Sequence, residues 1–169
     1  MTVNRLLLPV VLFALLPLAS QAELPRMTLH QQAEVQTHHE RLVGNVRAQA
    51  RREGVVLNTP QLYVFLGDQT AAFHQDGFRP GFERELNLIV DRARRARSMV
   101  RLDRLLERVQ TPEGERIGIS DLPDADVYLL LYRKPGCAEC EQVAGVLETW
   151  IEDNPGRAVL WIDVMLKAR

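Results

Sequence analysis

Residues 126–166 read DVYLLLYRKPGCAECEQVAGVLETWIEDNPGRAVLWIDVML, and this stretch has the strongest structural signals in the sequence. Its two apolar runs, at 127–132 and 158–166, each predict a strand. A helix between them is predicted by an apolar stripe at helical spacing, formed by Cys140, Val143, Ala144, Leu147 and Ile151. The helix ends at Asn154, Pro155 and Gly156, which is a typical stop signal. The order is therefore strand, Cys-x-x-Cys helix, strand.

The only two cysteines of the chain, Cys137 and Cys140, lie at the predicted start of this helix. Two intervening residues let the sulfurs approach, so the pair can cycle between a dithiol and a disulfide. Unpaired N–H groups and the helix dipole favour the thiolate of the first cysteine. We expect Cys137 to be the catalytic nucleophile and the more accessible sulfur. Cys140, on the apolar stripe, would be buried and would resolve mixed disulfides.

This layout resembles the thioredoxin-like family, in which it carries thiol–disulfide exchange. The resemblance covers residues 58–169 and implies an α/β fold, namely a three-layer α/β/α sandwich on a small parallel sheet. The motif differs from the common family pattern, because Gly136 precedes it and Ala138 and Glu139 lie inside it. The family also places a cis-proline loop, a hairpin and a last helix after the third strand. The sequence ends soon after that strand, so a truncated fold is expected.

Charged residues surround the motif. Glu139 and Glu141 oppose a thiolate by like-charge repulsion, whereas Arg133 and Lys134 offset them. A static disulfide remains the alternative to redox exchange. No metal site and no cofactor are predicted, because a closed zinc site needs four ligands and a second Cys-x-x-Cys or a His-x-x-x-His pair is absent from the sequence.

Residues 1–22 read as a signal peptide. A short polar start is followed by the apolar run Leu6–Leu18, and Ser20 and Ala22 supply small residues before a cleavage point at Glu23. An uncleaved anchor is the alternative, although the run is short for a membrane span of about 20 residues. We therefore expect export to the periplasm, no stable membrane span after cleavage, and an oxidising surrounding in which the cysteines form a disulfide.

Residues 23–57 predict an amphipathic helical extension. Thr28 and Gln31 match a capping box, and Gly54 is a suitable end. The apolar stripe comprises Leu29, Ala33, Leu42, Val46 and Ala50. The histidines on this segment, His30, His38 and His39, lack a carboxylate at metal-site spacing and read as solvated side chains.

The remaining segments complete the predicted domain at 58–169. Residues Gln61–Leu66 are predicted to form a strand. The following residues, Asp68–Arg79, are predicted to form a loop in which His74 could face the cysteines. A helix is predicted to start at Pro80 and to run to about Gln110. Helices between apolar strands imply parallel crossovers. In the family's strand order, residues 126–132 would then be an exposed edge, which favours a homodimer or another protein partner.

The other face of the long helix is basic. It carries Arg92, Arg94, Arg95, Arg97, Arg101, Arg104 and Arg108. Because the formal net charge of the chain is -1 and no nucleic-acid motif accompanies the stripe, a solvated face is favoured over nucleic-acid binding. The predicted function is periplasmic thiol:disulfide exchange through Cys137 and Cys140 on a dedicated client. The alternative is a non-catalytic accessory module for envelope or conjugative-transfer machinery assembly, with a structural disulfide.

Overall fold

The secondary structure is that of a computed structural model, which describes residues 24–36, 59–92 and 100–167. Strands and helices follow one another in these ranges. In chain order they are β1 Arg26–Gln31, β2 Gln61–Leu66, β3 Ala71–Asp76, α1 Phe82–Asp91, α2 Leu102–Leu106, β4 Val109–Gln110, the 3₁₀ turn Ile119–Asp121, β5 Val127–Arg133, α3 Ala138–Glu152 and β6 Val159–Met165. Residues 33–36 are also helical.

The six strands form one mixed sheet in the order β3-β2-β5-β6-β1-β4. β5, β6 and β1 are parallel neighbours, whereas β2 is antiparallel to both β5 and β3, and β4 is antiparallel to β1. The prediction of two parallel strands around the cysteine helix is confirmed by β5 and β6. The prediction of a small parallel sheet is wrong, because β2 runs against β5.

The antiparallel direction of β2 is linked to a hairpin that the sequence reading missed. The predicted loop at 68–79 contains β3, and a short turn joins it to β2. Leu66 N–H donates to Thr70 O (3.0 Å), and the Asp68 carboxylate accepts Thr70 N–H (3.0 Å). A turn this short joins only antiparallel neighbours. Because β3 lies between β2 and the helices, the chain reverses direction one extra time before it enters β5. β2 and β5 are therefore antiparallel, and not parallel as two strands joined by a single helix would be.

The predicted helix at 23–54 is wrong over its first part. Residues 26–31 form β1, which pairs with β6 on one side and with β4 on the other. Leu29 and Gln31 are buried while Arg26 and Thr28 are exposed, which is the alternation of a strand. Backbone hydrogen bonds to two neighbouring strands therefore outweigh the capping-box signal. The rest of the predicted extension, residues 37–57, lies outside the described residues.

The predicted helix from Pro80 to about Gln110 is correct only in part. Its beginning is α1, whereas residues 93–99 lie outside the described residues. Arg101 has extended backbone angles (φ -118°, ψ 140°), α2 is short, and Val109 is buried in β4. The last residues of the predicted helix therefore form a strand, because β4 pairs with β1 at the edge of the sheet.

Apolar side chains cover both faces of the sheet. On the first face, which we call the α3 face, α1 and α3 pack over Leu129, Leu131 and Trp161. On the second face, the α2 face, Leu102, Leu105 and Leu106 of α2 pack over a different set of strand residues. Alternate residues of β5 thus point into two separate cores.

β5 lies in the interior of the sheet, between β2 and β6. The expectation that residues 126–132 form an exposed edge is therefore wrong, because the β2–β3 hairpin occupies that side. The outer strands of the described sheet are β3 and β4. The Thr59–Pro60 peptide bond, directly before β2, is cis.

Candidate redox site

The cysteine motif lies where β5 gives way to α3. The turn between them ends at Gly136, whose φ of +71° belongs to the left-handed region that favours glycine. Cys137 then takes an extended conformation as the N-cap of α3. Its Sγ accepts a hydrogen bond from Cys140 N–H (3.2 Å), which that N–H shares with the Cys137 carbonyl oxygen (3.0 Å), so the sulfur lies against the first turn of the helix.

Cys137 and Cys140 form a disulfide with a Cα–Cα distance of 5.2 Å, within the usual range for such a bond. Cys140 is 0% exposed, whereas Cys137 is half-buried. The order of exposure is the one predicted from the apolar stripe. A thiolate from outside can therefore reach Cys137 and cannot reach Cys140.

Each of the two motif carboxylates has a partner. Glu139 accepts the backbone N–H of Phe78 (3.4 Å), which ties the loop after β3 to the first turn of α3. In the same loop, Gly77 N–H donates to Pro60 O (2.8 Å). Glu141 forms an ion pair with Arg133, so one of the two predicted basic side chains does offset a motif carboxylate. Lys134, the other, is exposed and makes no ion pair among the described residues.

Arg133 also contacts a buried carboxylate on β6. Asp163 is 5% exposed, and its oxygens accept from Arg26 Nε (2.8 Å) and Trp161 Nε1 (3.2 Å), with Arg133 Nη1 at 3.5 Å. The Arg26 guanidinium carbon lies 4.3 Å from the centre of the Trp161 ring. We call these four residues the Asp163 cluster. It neutralises a carboxylate that would otherwise be costly to bury.

The Asp163 cluster is joined to α3 by two ion pairs. Arg133 reaches Glu141 in the first turn of the helix, and Arg26 reaches Glu148 (3.2 Å) two turns later. Arg133 is well covered, with 15% of its side chain exposed, whereas 37% of the Arg26 side chain is exposed. The cluster therefore connects three neighbouring strands to the helix that carries the cysteines.

His74 does not join the cysteines. Its ring stacks on Tyr63 at 4.5 Å, and its Nε2 lies 3.1 Å from the Asp76 carboxylate and 3.0 Å from Gln61 Nε2. Tyr63 in turn meets Tyr132 edge-on at 5.9 Å. Tyr63 and Tyr132 belong to the core of the α2 face, on the side of the sheet away from α3. We call these five residues the tyrosine cluster.

The tyrosine cluster contains buried polar groups that lack a hydrogen-bond partner. The Tyr63 hydroxyl and Gln61 Oε1 are buried and have no hydrogen-bond partner. Burial raises the pKa of both Tyr63 and Tyr132 well above the usual value of about 10. A second contribution to the raised pKa of Tyr63 is the nearby Tyr132. Both hydroxyls are therefore held in the neutral form.

The remaining predicted candidates are not brought to the cysteines. His30 is half-buried in β1 opposite Gln110, and His38 and His39 lie outside the described residues. Of the basic stripe, Arg104 pairs with Glu107 (3.0 Å), and Arg101 pairs with Asp103 (2.6 Å). The hydrogen bond from Arg101 lowers the pKa of Asp103. These arginines are thus engaged with neighbouring carboxylates.

The sequence reading missed both buried polar clusters. A signal for the first one was present, because Arg133 ends one apolar run and Asp163 interrupts the next. Charges in two neighbouring apolar strands are expected to pair when both are buried. For the second cluster no comparable signal exists, because tyrosine and glutamine are ordinary strand residues.

The described residues contain neither a metal-binding group nor a membrane-spanning helix. No group of three histidine, cysteine, aspartate or glutamate side chains there is arranged to hold a metal ion. No helix within residues 24–36, 59–92 and 100–167 has the length and hydropathy needed to cross a membrane.

Known proteins give no further guide. None of the known protein-family models matches the chain, and neither a curated protein nor a solved structure shows significant similarity to it.

Proposed function

We propose that this protein is a periplasmic thiol:disulfide exchange protein that acts through Cys137 and Cys140 on a dedicated protein client. One observation carries the proposal. Cys137 is half-buried at the N-cap of α3 and its Sγ accepts a backbone N–H, while its disulfide partner Cys140 is completely buried. Such a pair offers one sulfur to a client and keeps the other for resolution.

The exchange is balanced in atoms and electrons. A client thiolate attacks Cys137 Sγ, the Cys137–Cys140 bond breaks, and Cys140 leaves as a thiolate that takes up a proton. A second client thiolate then attacks the client sulfur of the mixed disulfide and releases Cys137 as a thiolate. The client loses two electrons and the protein gains them. In the opposite direction, Cys137 attacks a client disulfide and Cys140 resolves it, and a reduced partner then supplies the electrons.

The sheet order supports a thioredoxin-like arrangement with a changed connectivity. The family has a proline loop, a hairpin and a last helix after the third strand. In this chain, Pro60, the β2–β3 hairpin and α1 precede β5, and β2 pairs with β5 on the side away from β6. We infer a three-layer α/β/α arrangement in which these elements come before the cysteine helix. This inference replaces the expected truncation.

Export is the remaining part of the proposal. The polar start, the apolar run Leu6–Leu18 and the small residues before Glu23 favour a cleaved signal peptide. A disulfide in the mature protein agrees with an oxidising compartment. N-terminal sequencing of exported material tests this step, because a chain that still begins at Met1 would favour an anchor.

The decisive test of exchange is covalent trapping. A Cys140→Ser variant, expressed in cells of the native host, should hold the client on Cys137 as a mixed disulfide that reductant releases. A Cys137→Ser variant is the matched control and should hold none, because Cys140 is buried. Equal trapping by both variants, or by neither, contradicts the proposal.

The redox potential separates exchange from the alternative of an accessory module with a structural disulfide. Equilibration with dithiol buffers should give a potential above about -300 mV, since structural disulfides in exported proteins lie below it. In the reduced protein, iodoacetamide should modify Cys137 before Cys140. A potential below this limit, together with failed trapping, would assign the pair to the structural alternative.

A further inference from the structure

A groove runs between α1 and α3 on the face of the protein away from the sheet. It has a volume of about 670 Å³ and extends along α3 from Glu141 to the helix end at Glu152 and on to Asn154. At 1.5 Å per residue the helical part is about 17 Å, the length of three helical turns. Phe78, Val146 and Trp150 form its apolar floor. The redox proposal uses none of these three side chains.

The floor is held by a contact between the two helices. Trp150 is 3% exposed, and its indole N–H donates to Asn87 Oδ1 on α1 (2.6 Å). Val146 and Phe78 are only half-buried and face the groove beside it. The groove is thus built on a fixed cross-link between α1 and α3, and its apolar floor is partly open to solvent.

Gly145 leaves the middle of the groove empty. It lies inside α3, where glycine destabilises a helix relative to alanine. A Cβ added there would meet no atom within 4 Å, so no internal packing requires the glycine. The same is true of Gly81 on the opposite wall, although its φ of +82° independently favours glycine. Bare backbone at Gly145 allows another polypeptide to approach α3 closely.

The ionisable residues that line the groove are all acidic. Its ionisable lining residues are Glu83, Glu141 and Asp153, and neither lysine nor arginine lines it. Glu141 is neutralised by Arg133, whereas Glu83 and Asp153 make no ion pair or side-chain hydrogen bond among the described residues. An occupant with positive side chains beside an apolar face would complement this lining.

We propose that the groove binds a basic amphipathic helix of a partner protein. The apolar side chains of that helix would lie on Phe78, Val146 and Trp150, its backbone would pass close to Gly145, and its lysines or arginines would meet Glu83 and Asp153. Binding of a helix in a groove between two helices is a common mode of recognition. The inference does not rest on the proposed redox function, because it involves neither sulfur.

A synthetic pair of peptides tests the inference. The probe is a helix of about four turns with leucines on one face and lysines beside them, and the control peptide carries glutamates in place of the lysines. Isothermal titration should show that the lysine peptide binds the wild-type protein at least about tenfold more tightly than the glutamate peptide. Equal affinity, or no binding of the lysine peptide, would overturn the proposal.

Variants locate the site. Gly145→Leu fills the groove and should weaken binding of the lysine peptide by about tenfold or more. Gly156→Leu is the matched control, because Gly156 also has open space around it but lies beyond the end of α3, and it should leave binding unchanged. Equal effects of the two leucines would refute the location. The double variant Glu83→Gln/Asp153→Asn should remove the preference for lysine over glutamate.

Two outcomes distinguish this inference from related ones. A variant with both Cys137→Ser and Cys140→Ser should bind the lysine peptide as the wild type does, so failure of the redox proposal leaves the groove proposal intact. Sedimentation of the wild-type protein alone should show no association that Gly145→Leu abolishes. Such an association would mean that a second copy of the chain occupies the groove, and it would overturn the proposal.

Discussion

The Asp163 cluster and the tyrosine cluster bury polar groups on opposite faces of one sheet, but they do so in different ways. Asp163 is surrounded by donors, and two of them, on Arg26 and Arg133, carry a positive charge. The Tyr63 hydroxyl is equally buried and has no partner, whereas the Asp163 cluster leaves only Arg133 Nε without one. A buried polar group stabilises a fold only when its hydrogen bonds are made, so the same kind of truncation should have opposite effects on the two faces.

The largest change in the free energy of unfolding is expected from Asp163→Ala. The change leaves the Arg133 guanidinium, 15% exposed, with only the solvent-exposed Glu141 as a carboxylate partner, and breaking a buried pair by removing one partner is strongly destabilising. The free energy of unfolding should fall by about 3 kcal/mol in urea titrations. Asp124→Ala, at an exposed position in the connection before β5, is the control and should change it by less than about 0.5 kcal/mol. A similar small effect at Asp163 would contradict the importance of the cluster.

The second effect is alkaline destabilisation through Tyr63 and Tyr132. Their folded-state pKa values are raised by burial, so both stay protonated above pH 10 while the unfolded chain loses these protons. Stability is then fully present below about pH 10 and falls above it, by up to about 1.4 kcal/mol per pH unit for each tyrosine. Urea titrations at pH 9, 10 and 11 should show a flatter decline for Tyr63→Phe/Tyr132→Phe. Parallel curves would exclude these two hydroxyls as the cause.

A smaller decrease in the free energy of unfolding is expected from Arg26→Gln. Arg26 contacts Asp163, Glu148 and the Trp161 ring, but more than a third of its side chain is in solvent. Exposed ion pairs and cation–π contacts each contribute little, so the free energy of unfolding should fall by about 1 kcal/mol, and by less in high salt. Arg84→Gln on α1 serves as the control, since Arg84 is exposed and makes no ion pair among the described residues.

The smallest effect has the opposite sign. Tyr63→Phe removes a buried hydroxyl that has no partner and should raise the free energy of unfolding by about 0.5 kcal/mol. Tyr128→Phe is the matched comparison on the same face, because its hydroxyl is not among the buried unpartnered groups, and it should not raise the free energy of unfolding. A loss of more than about 1 kcal/mol at Tyr63 would mean that its hydroxyl makes a stabilising interaction.

The part of the fold around the cysteines was predictable because its signals are local. The apolar runs of β5 and β6, the stripe of α3 and the Asn-Pro-Gly stop all lie within one stretch. Each of these elements can therefore be predicted from its own residues, without information about the strands or helices beside it. The burial of Cys140 followed from the same stripe.

The missed elements depend on partners far away in the sequence. β1 has only two apolar residues, Met27 and Leu29, and buries the polar Gln31, so its alternation is weak. It is a strand because β6 and β4 supply its hydrogen bonds. In the same way, β3 mixes Phe73 with His74 and the buried Gln75. A polar residue that is buried by its neighbours carries no sign of that burial in the local sequence.

The pairing of β1 with β6 also sets the order in which the molecule can be completed. The contact between Arg26 and Asp163 joins residues 137 positions apart, although the strands that carry them are adjacent. At a synthesis rate of about 5–20 residues per second, β6 is made roughly 7 to 27 seconds after β1. β4 pairs with β1, so it also gains a place in the sheet only when β6 has arrived. A chain exported as proposed would therefore keep β1 and β4 apart from the rest of the sheet until β6 has also been translocated.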